Sequence, residues 1–377
     1  MSSDDHPTSL QLSLAEIIIV LIVAVIYLFF RFSNGNEIVL LILGFGLALW
    51  AIMKPTEWAV EGLTMLAEKM GIGTYAAGNL GGIMANIPEL VLALLLILKG
   101  SAHIAILTVL VVAGANTLLF GVITVKSSMQ NNGTVNVPVT TLRYESELMM
   151  MAFVTSMFLF VFNFAENILN PAAVTGGVKI PVLFSVGTVA IYVFFLIFIT
   201  KDKSLKPSLT EEHHKDKNEH AALMWNNIVK FLALGTIGIV IAGELLASGA
   251  EILIQQADTT GIALGEPQIA LFVGLLGSLP EWAVAFKAQE DIDLVFGSVL
   301  SSISATLLFM IGLVSIFLYI IGIDFQLDAY AIVQIVLSGS VLLFVNLLMK
   351  DDMKLDTFEG ICIIVIQLIG FEVLLSV

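Results

Sequence analysis

Gly82-Ile83-Met84-Ala85-Asn86-Ile87-Pro88-Glu89 and, 192 residues further on, Gly274-Leu275-Leu276-Gly277-Ser278-Leu279-Pro280-Glu281 are the stretches that decide how this chain folds. Each runs Gly, two apolar residues, a small residue, a small polar residue, an aliphatic residue, then Pro-Glu, inside an apolar stretch of helical length. Proline has no N–H and frees the carbonyl about one turn before it. A single Pro-Glu step reads as a helix bend with a capped or protonated glutamate. Two at matching places read as a duplicated unit.

The composition says what surrounds them. Hydrophobic residues make up 58% of the 377 and charged residues only 12%, which excludes an ordinary soluble globule and points to a polytopic helical membrane protein. A carboxylate at the centre of a spanning helix costs about 2.5–3.5 kcal/mol on insertion scales, so a duplicated one needs a reason other than packing. One cysteine, Cys362, excludes an intrachain disulfide and a Cys-based metal site. The net charge of -15 comes with no basic patch, which sets nucleic acid aside. Met1 to Ser13 is polar and lacks a basic n-region, so 14–31 reads as a retained membrane helix rather than a cleaved leader.

A span needs about 20 apolar residues. Eleven stretches qualify: 14–31, 37–70, 74–99, 102–125, 145–168, 179–200, 224–256, 266–287, 292–320, 328–349 and 357–377. The second and seventh are overlong, with Lys54-Pro55 placed to kink the second. With the N-terminus inside, eleven basic residues (Lys69, Lys126, Arg143, Lys201, Lys203, Lys206, Lys215, Lys217, Lys287, Lys350, Lys354) fall in inner loops. Three, Arg31, Lys99 and Lys179, fall outside. That bias predicts a cytoplasmic N-terminus and an outer C-terminus, in a plasma membrane.

Four segments follow: 1–36, a tail and an extra helix; 37–200, five helices; 201–223, a polar cytoplasmic loop; and 224–377, five more. An odd number of spans inverts the second set of five. Each Pro-Glu motif then lies in the second helix of its set, and the two approach the midplane from opposite sides. This is the inverted-repeat plan, in which interrupted helices build a substrate site at the repeat interface. The expected fold is therefore an all-α polytopic membrane protein, a 5+5 inverted repeat plus one N-terminal helix.

Freed carbonyls at Met84, Ala85, Leu276 and Gly277, the side chains of Asn86 and Ser278, and the carboxylates of Glu89 and Glu281 are all hard oxygen donors, suited to Ca²⁺. The following helices carry weaker candidates, Asn116 in the first repeat and Ser302 and Thr306 in the second. Small and hydroxylated residues also serve close helix packing. Glu57, Glu61, Glu244 and Glu251 lie along the overlong helices, where they line ion paths or mark helix ends. Glu166, Glu372 and His103 read as interfacial, and His213-His214 as part of a solvated loop.

These residues resemble the cation/Ca²⁺ antiporter superfamily, which includes Na⁺/Ca²⁺ and H⁺/Ca²⁺ exchangers. The likeness covers about 50–125 and 236–315. It takes in Trp58-Ala59-Val60-Glu61-Gly62 leading to Ala67-Glu68-Lys69-Met70-Gly71, and Gly243-Glu244-Leu245-Leu246-Ala247-Ser248-Gly249-Ala250. Members typically carry Gly-Thr-Ser-Leu-Pro-Glu in each repeat. The resemblance thus implies that Glu89 and Glu281 are the ion-binding glutamates and Ser278 the motif serine. It also implies that Asn116 is the amide ligand of the next helix, with Ser302 and Thr306 at the corresponding second-repeat positions.

The chain departs from that pattern. Ala85 and Gly277 stand where the motif has threonine, Asn86 replaces a serine, Thr306 replaces an acid or amide, and Val112 falls where a second serine ligand would be. The implied activity is a secondary antiporter, not an enzyme, exchanging Ca²⁺ by alternating access and using no cofactor. H⁺ is favoured as coupling ion because the neutral ligands of a separate Na⁺ site are largely missing; Na⁺ is the alternative. A divalent-cation channel and a non-transporting scaffold are the readings from other classes.

Overall fold

The computed structural model describes residues 13–33, 35–70, 74–169, 180–201, 217–260, 264–287, 292–323 and 327–376. Its helices are α1 (Leu14–Phe32), α2 (Glu37–Lys69), α3 (Thr74–Ala85), α4 (Ile87–Leu98), α5 (Ala102–Gln130), α6 (Val139–Leu169) and α7 (Val182–Lys201) in the first part. The second part holds α8 (Lys217–Thr260), α9 (Glu266–Lys287), α10 (Ile292–Ala305), α11 (Ile311–Ile320), α12 (Ala329–Asp352) and α13 (Thr357–Leu375). A π-helical turn, Thr306–Met310, joins α10 to α11.

Local chemistry sets several of the ends. Ser13 caps α1 by accepting from the Glu16 N–H at 3.0 Å. Asp328 caps α12 through the Ala331 N–H at 2.8 Å. Asp356 and Glu359 form a reciprocal capping box at the start of α13.

With α3–α4 and α10–α11 each counted as one interrupted pass, the described residues make eleven helical passes. It is an all-helical membrane bundle of two inverted five-helix repeats, with α1 added at the N-terminal side. Ten of the passes are long and apolar enough to cross a membrane. The exception among the described residues is α9, whose 22 residues suffice for length. Its apolar run is diluted by Glu266, Pro267 and Gln268 at one end and by Pro280-Glu281 inside. Helix α1 turns large apolar side chains outward along most of its length and buries only Tyr27, as a lipid-facing helix does. In contrast, α5 is buried from Ile104 almost to its end and forms the centre of the bundle.

Two crossings hold the repeats together. The long helices α2 and α8 pack along each other, closest at small residues: a Cβ on Gly62 would stand 3.0 Å from the Leu232 backbone N, and one on Gly235 2.7 Å from the Pro55 carbonyl. Close approach through small residues is how membrane helices gain packing contacts, since lipid supplies no hydrophobic drive between them. The second crossing is reciprocal. Gly82, which opens the first motif, lies against the Ser298 carbonyl of α10, and Gly274, which opens the second, lies against the Thr108 carbonyl of α5. Ser298 precedes Thr306 by eight residues, as Thr108 precedes Asn116. Each motif helix therefore packs on the helix that follows the other motif, which is the inverted repeat expressed in contacts.

Several expectations shift. Helix α2 runs through Pro55 without a break. Helix α6 begins at Val139, ahead of the expected 145, and α5 extends to Gln130. Helix α8 begins at Lys217, so the end of the expected polar loop is helical, while His213 and His214 lie outside the described residues. A short antiparallel ribbon, β1 (Thr134–Asn136) with β2 (Lys354–Asp356), ties the loop after α5 to the one after α12. It buries Val135 and Leu355.

Candidate functional site

The two motifs look alike in sequence and fold differently. In the first, Asn86 sits at φ -86°, ψ -7°, and separates α3 from α4. Pro88 then falls in the first turn of α4, where a missing N–H is tolerated. Glu89 follows in the same turn and is buried. In the second, α9 continues through Pro280, and Glu281 projects from an unbroken helix. In both, the proline removes a donor, so the carbonyls of Met84 and Leu276 lose their partner four residues on.

Ser302 of α10 joins the two motifs. Its Oγ lies 2.6 Å from Glu281 Oε1 and 2.9 Å from Asn86 Oδ1, and its single hydroxyl proton can serve one of these acceptors at a time. Asn116 Nδ2 donates to the same Oγ at 3.0 Å, and Asn86 Nδ2 to the Ser302 carbonyl at 3.4 Å. Four helices thus meet at one hydroxyl, with every side chain buried.

Glu89 reaches the same place from the other side. A Cβ built on Gly277 would lie 3.6 Å from Glu89 Cγ and 3.8 Å from its Oε1, so the absence of a side chain at 277 leaves the Glu89 carboxyl its space. Glu281 is the charged group that acts on Glu89.

The donor set fits a bare cation. Both carboxylate oxygens of Glu89, Oε2 of Glu281 and Oδ1 of Asn116 are buried with no hydrogen-bond partner. Unsatisfied buried polar atoms are rare in folded proteins, and these four oxygens, three of them on carboxylates, supply both negative charge and hard ligands.

Other candidates are placed less directly. The Ser278 hydroxyl donates to the Leu275 carbonyl of its own helix at 2.9 Å, and that of Thr306 to the Ser302 carbonyl at 3.0 Å. Both keep lone pairs but spend their protons locally. Thr306 also opens the π turn, with the Ile311 N–H on its carbonyl; such turns recur at functional sites. Ala85 is buried and ends α3.

Three further polar groups lie outside the two motifs. Lys99, at the end of α4, lies 3.1 Å from Glu244 and 3.4 Å from Glu251 of α8 and donates to Ser248 at 2.9 Å. His103 sits between two carboxylates: Nδ1 lies 2.5 Å from Glu266 Oε2 and Nε2 2.8 Å from Asp328 Oδ2. Ser301, next to Ser302 on α10, donates to Asn79 Oδ1 at 2.6 Å and lies 3.4 Å from the Tyr192 hydroxyl, and all three side chains are buried. A polar residue seven positions before Asn86, on the same helix face, was the available signal for this group.

A fold of interrupted helices around paired carboxylates agrees with what comparison finds. The family model described as sodium/calcium exchanger protein matches residues 38–201 and 229–370. The chain belongs to this exchanger family. It is a family of transporters rather than enzymes, moving Ca²⁺ with H⁺ or Na⁺ and needing no cofactor. No curated protein matches the chain.

Among solved structures, the family member resembles the H⁺/Ca²⁺ exchanger CAX, with TM-score 0.66 and 13% identity over 96% of this chain and 93% of that one. It resembles native YfkE with TM-score 0.67 and 15% identity over 96% and 99%. It also resembles the sodium-calcium exchanger NCX_Mj soaked with Na⁺ and Sr²⁺, with TM-score 0.58 and 17% identity over 88% and 98%. At these identities the likeness speaks for the fold alone.

Proposed function

We propose that this family member is a Ca²⁺/cation antiporter of the plasma membrane, with its N-terminus in the cytoplasm, and that Glu89 and Glu281 hold one dehydrated Ca²⁺ between them. Oδ1 of Asn116, Asn86, the carbonyls near Ala85 and Gly277, and Ser278 complete the oxygen shell. Ser302 orients Glu281 and Asn86, and Thr306 supports the Ser302 backbone. The observation that carries the reading is the set of four buried oxygens, on Glu89, Glu281 and Asn116, that meet no donor in the protein.

Exchange follows from the charge. When Ca²⁺ leaves, two carboxylates face each other in a low-dielectric site, and a helix interface carrying that charge is too costly to rearrange. Positive charge must replace the ion before the carrier returns. At the central pair itself protons are favoured over Na⁺, because Ala85, Gly277 and Val112 offer no hydroxyl to a monovalent metal.

The test is ⁴⁵Ca²⁺ uptake into proteoliposomes under an outward H⁺ gradient, compared with an outward Na⁺ gradient. Uptake driven by one gradient and lost in Glu89→Gln is the expected result. Uptake indifferent to both gradients means a channel, and no Ca²⁺ binding at all means a scaffold.

A further inference from the structure

Away from the ion site, four buried polar atoms of α12 and α13 meet no hydrogen-bond partner among the described residues. They are Gln334 Oε1 and Ser338 Oγ of α12, and both Oε1 and Nε2 of Gln367 of α13. All three side chains are wholly buried, and none takes part in the mechanism above. Both helices are long and apolar enough to cross the membrane, where polar groups must be satisfied from within the bundle.

The two glutamines belong to one seam. Gln334 Nε2 donates to the Gly370 carbonyl at 2.6 Å. A Cβ on Gly370 would stand 3.1 Å from Leu337 Cδ2 and 3.5 Å from Gln367 Nε2. The face of α12 that carries 334, 337 and 338 therefore lies on the face of α13 that carries 367, 370 and 371. Helix α5 closes the third side: a Cβ on Gly114 would fall 2.3 Å from Gln367 Nε2 and 2.9 Å from Phe371 Cε1. Glycine at 114 is what admits the amide. Asn116 follows two residues later, about 200° round α5, so the ion ligand and the seam use different faces of one helix.

This set of atoms differs in kind from that of the central site. There the unpartnered atoms of Glu89, Glu281 and Asn116 are all acceptors, which suits a cation. Here Gln367 presents N–H donors beside an acceptor oxygen, whichever way round its amide is placed, and no carboxylate is among the four atoms. A cation would face the amide N–H with no charge to neutralise it, and an anion would face the acceptor oxygens. The ligand must be small and neutral, and must both donate and accept. Water meets those terms, and a buried water typically makes about three hydrogen bonds to groups otherwise unsatisfied.

We propose that Gln334, Gln367 and Ser338 form a binding site for water in the seam between α5, α12 and α13. The Oε1 atoms of Gln334 and Gln367 accept from the water and Gln367 Nε2 donates to it. The Ser338 hydroxyl, one turn beyond Gln334, extends the polar surface along α12. The site explains how two neutral amides and a hydroxyl stay inside a membrane bundle, and it backs the helix that carries Asn116. It holds whatever the central site carries.

Radiolytic footprinting of the purified protein in Ca²⁺-free buffer tests it. A short X-ray pulse splits a bound water where it sits, and the hydroxyl radical marks the side chain beside it. Phe371 is that side chain, since its ring and the Gln367 amide abut the same point on Gly114. It is only 6% exposed, so radicals made in bulk solvent by peroxide photolysis should leave it unmodified. Wild type is expected to be hydroxylated at Phe371 under X-rays and not under photolysis, and Gln367→Leu should lose the X-ray product. No X-ray product in wild type, an equal yield by both methods, or an undiminished yield in Gln367→Leu overturns the proposal. Should Gln367→Leu fail to fold, Gln334→Leu decides by the same loss, and an undiminished yield there overturns it equally. Because no ion is present, the outcome is separate from that of the ⁴⁵Ca²⁺ assay.

Discussion

Ser302 Oγ stands 2.6 Å from Glu281 Oε1 and so fixes which oxygen of that carboxylate is left for an ion. The other oxygen, Oε2, is buried without a partner, and the second acceptor within reach of the serine, Asn86 Oδ1, comes from the other repeat. Removing the hydroxyl in Ser302→Ala takes the donor from whichever of Glu281 Oε1 and Asn86 Oδ1 it serves and the acceptor from the Asn116 amide. Leaving a buried polar group unsatisfied costs about 1–3 kcal/mol, which corresponds to about a tenfold or greater rise in the half-saturating Ca²⁺ concentration. Equilibrium ⁴⁵Ca²⁺ binding to purified protein measures it, and Ser302→Thr, which keeps the hydroxyl, should recover most of the affinity.

Neutralising either central carboxylate should separate activity from stability. Glu89→Gln and Glu281→Gln keep the side-chain shape and remove a charge that the protein itself leaves unpaired, so neither is expected to lower the unfolding midpoint. Breaking a buried ion pair destabilises by stranding its partner, but no lysine, arginine or histidine pairs with these two glutamates among the described residues. Ca²⁺ flux should vanish in both variants while expression and the melting profile are retained. Near-normal flux in either would rule out a shared site.

What the sequence disclosed follows from how local each signal is. The paired Pro-Glu steps are local, recur with the same spacing, and led directly to Glu89, Glu281 and Asn86. Asn116 and Ser302 were reached through the family resemblance, by counting forward across the connection into the helix that follows each motif. The proton directions of Ser278 and Thr306 depend on rotamers and could not be read. Nor could the break at Asn86 and the continuity at Ser278, since near-identical strings separate only through what packs on them. The burial of Glu145 was missed for a positional reason: Arg143 and Glu147 flank it, so in sequence the apolar run begins there, whereas α6 starts at Val139 and carries Glu145 into the bundle. The β1–β2 ribbon pairs residues from opposite halves of the chain and leaves no local trace.

The reciprocal glycine crossings predict an unequal pair of defects. A Cβ on Gly274 would fall 2.7 Å from Val111 Cγ1 and 3.0 Å from the Thr108 carbonyl, whereas one on Gly82 meets the Ser298 carbonyl at 3.2 Å. Backbone cannot yield as a flexible side chain does. Gly274→Ala should therefore cost about 1–3 kcal/mol, the usual price of overpacking, and Gly82→Ala less. Gly187 meets nothing within 4 Å, so Gly187→Ala is the neutral control. Thermal unfolding of the three variants in one detergent checks the order, and a Gly82→Ala defect larger than that of Gly274→Ala would contradict the packing described.

The contact between His103 and Asp328 makes a pH-dependent prediction. Burial pushes the Asp328 carboxyl up, but the hydrogen bond from His103 and that from the Ala331 N–H outweigh it and hold the group below the usual range. A carboxyl with a depressed folded pKa adds stability that is fully present above its unfolded value, about 3.9 for aspartate, and is lost as pH falls through the folded value. Asp328→Asn keeps an N-cap residue of equal rank and deletes only the charge facing His103; Glu266, on the other side of the ring, is untouched. The variant should melt below wild type at pH 6–7, and the gap between them should close as pH drops below about 3.9. Other carboxylates titrate in both proteins and cancel in the difference. A gap that persists unchanged at low pH would mean that the residue acts through its shape rather than its charge.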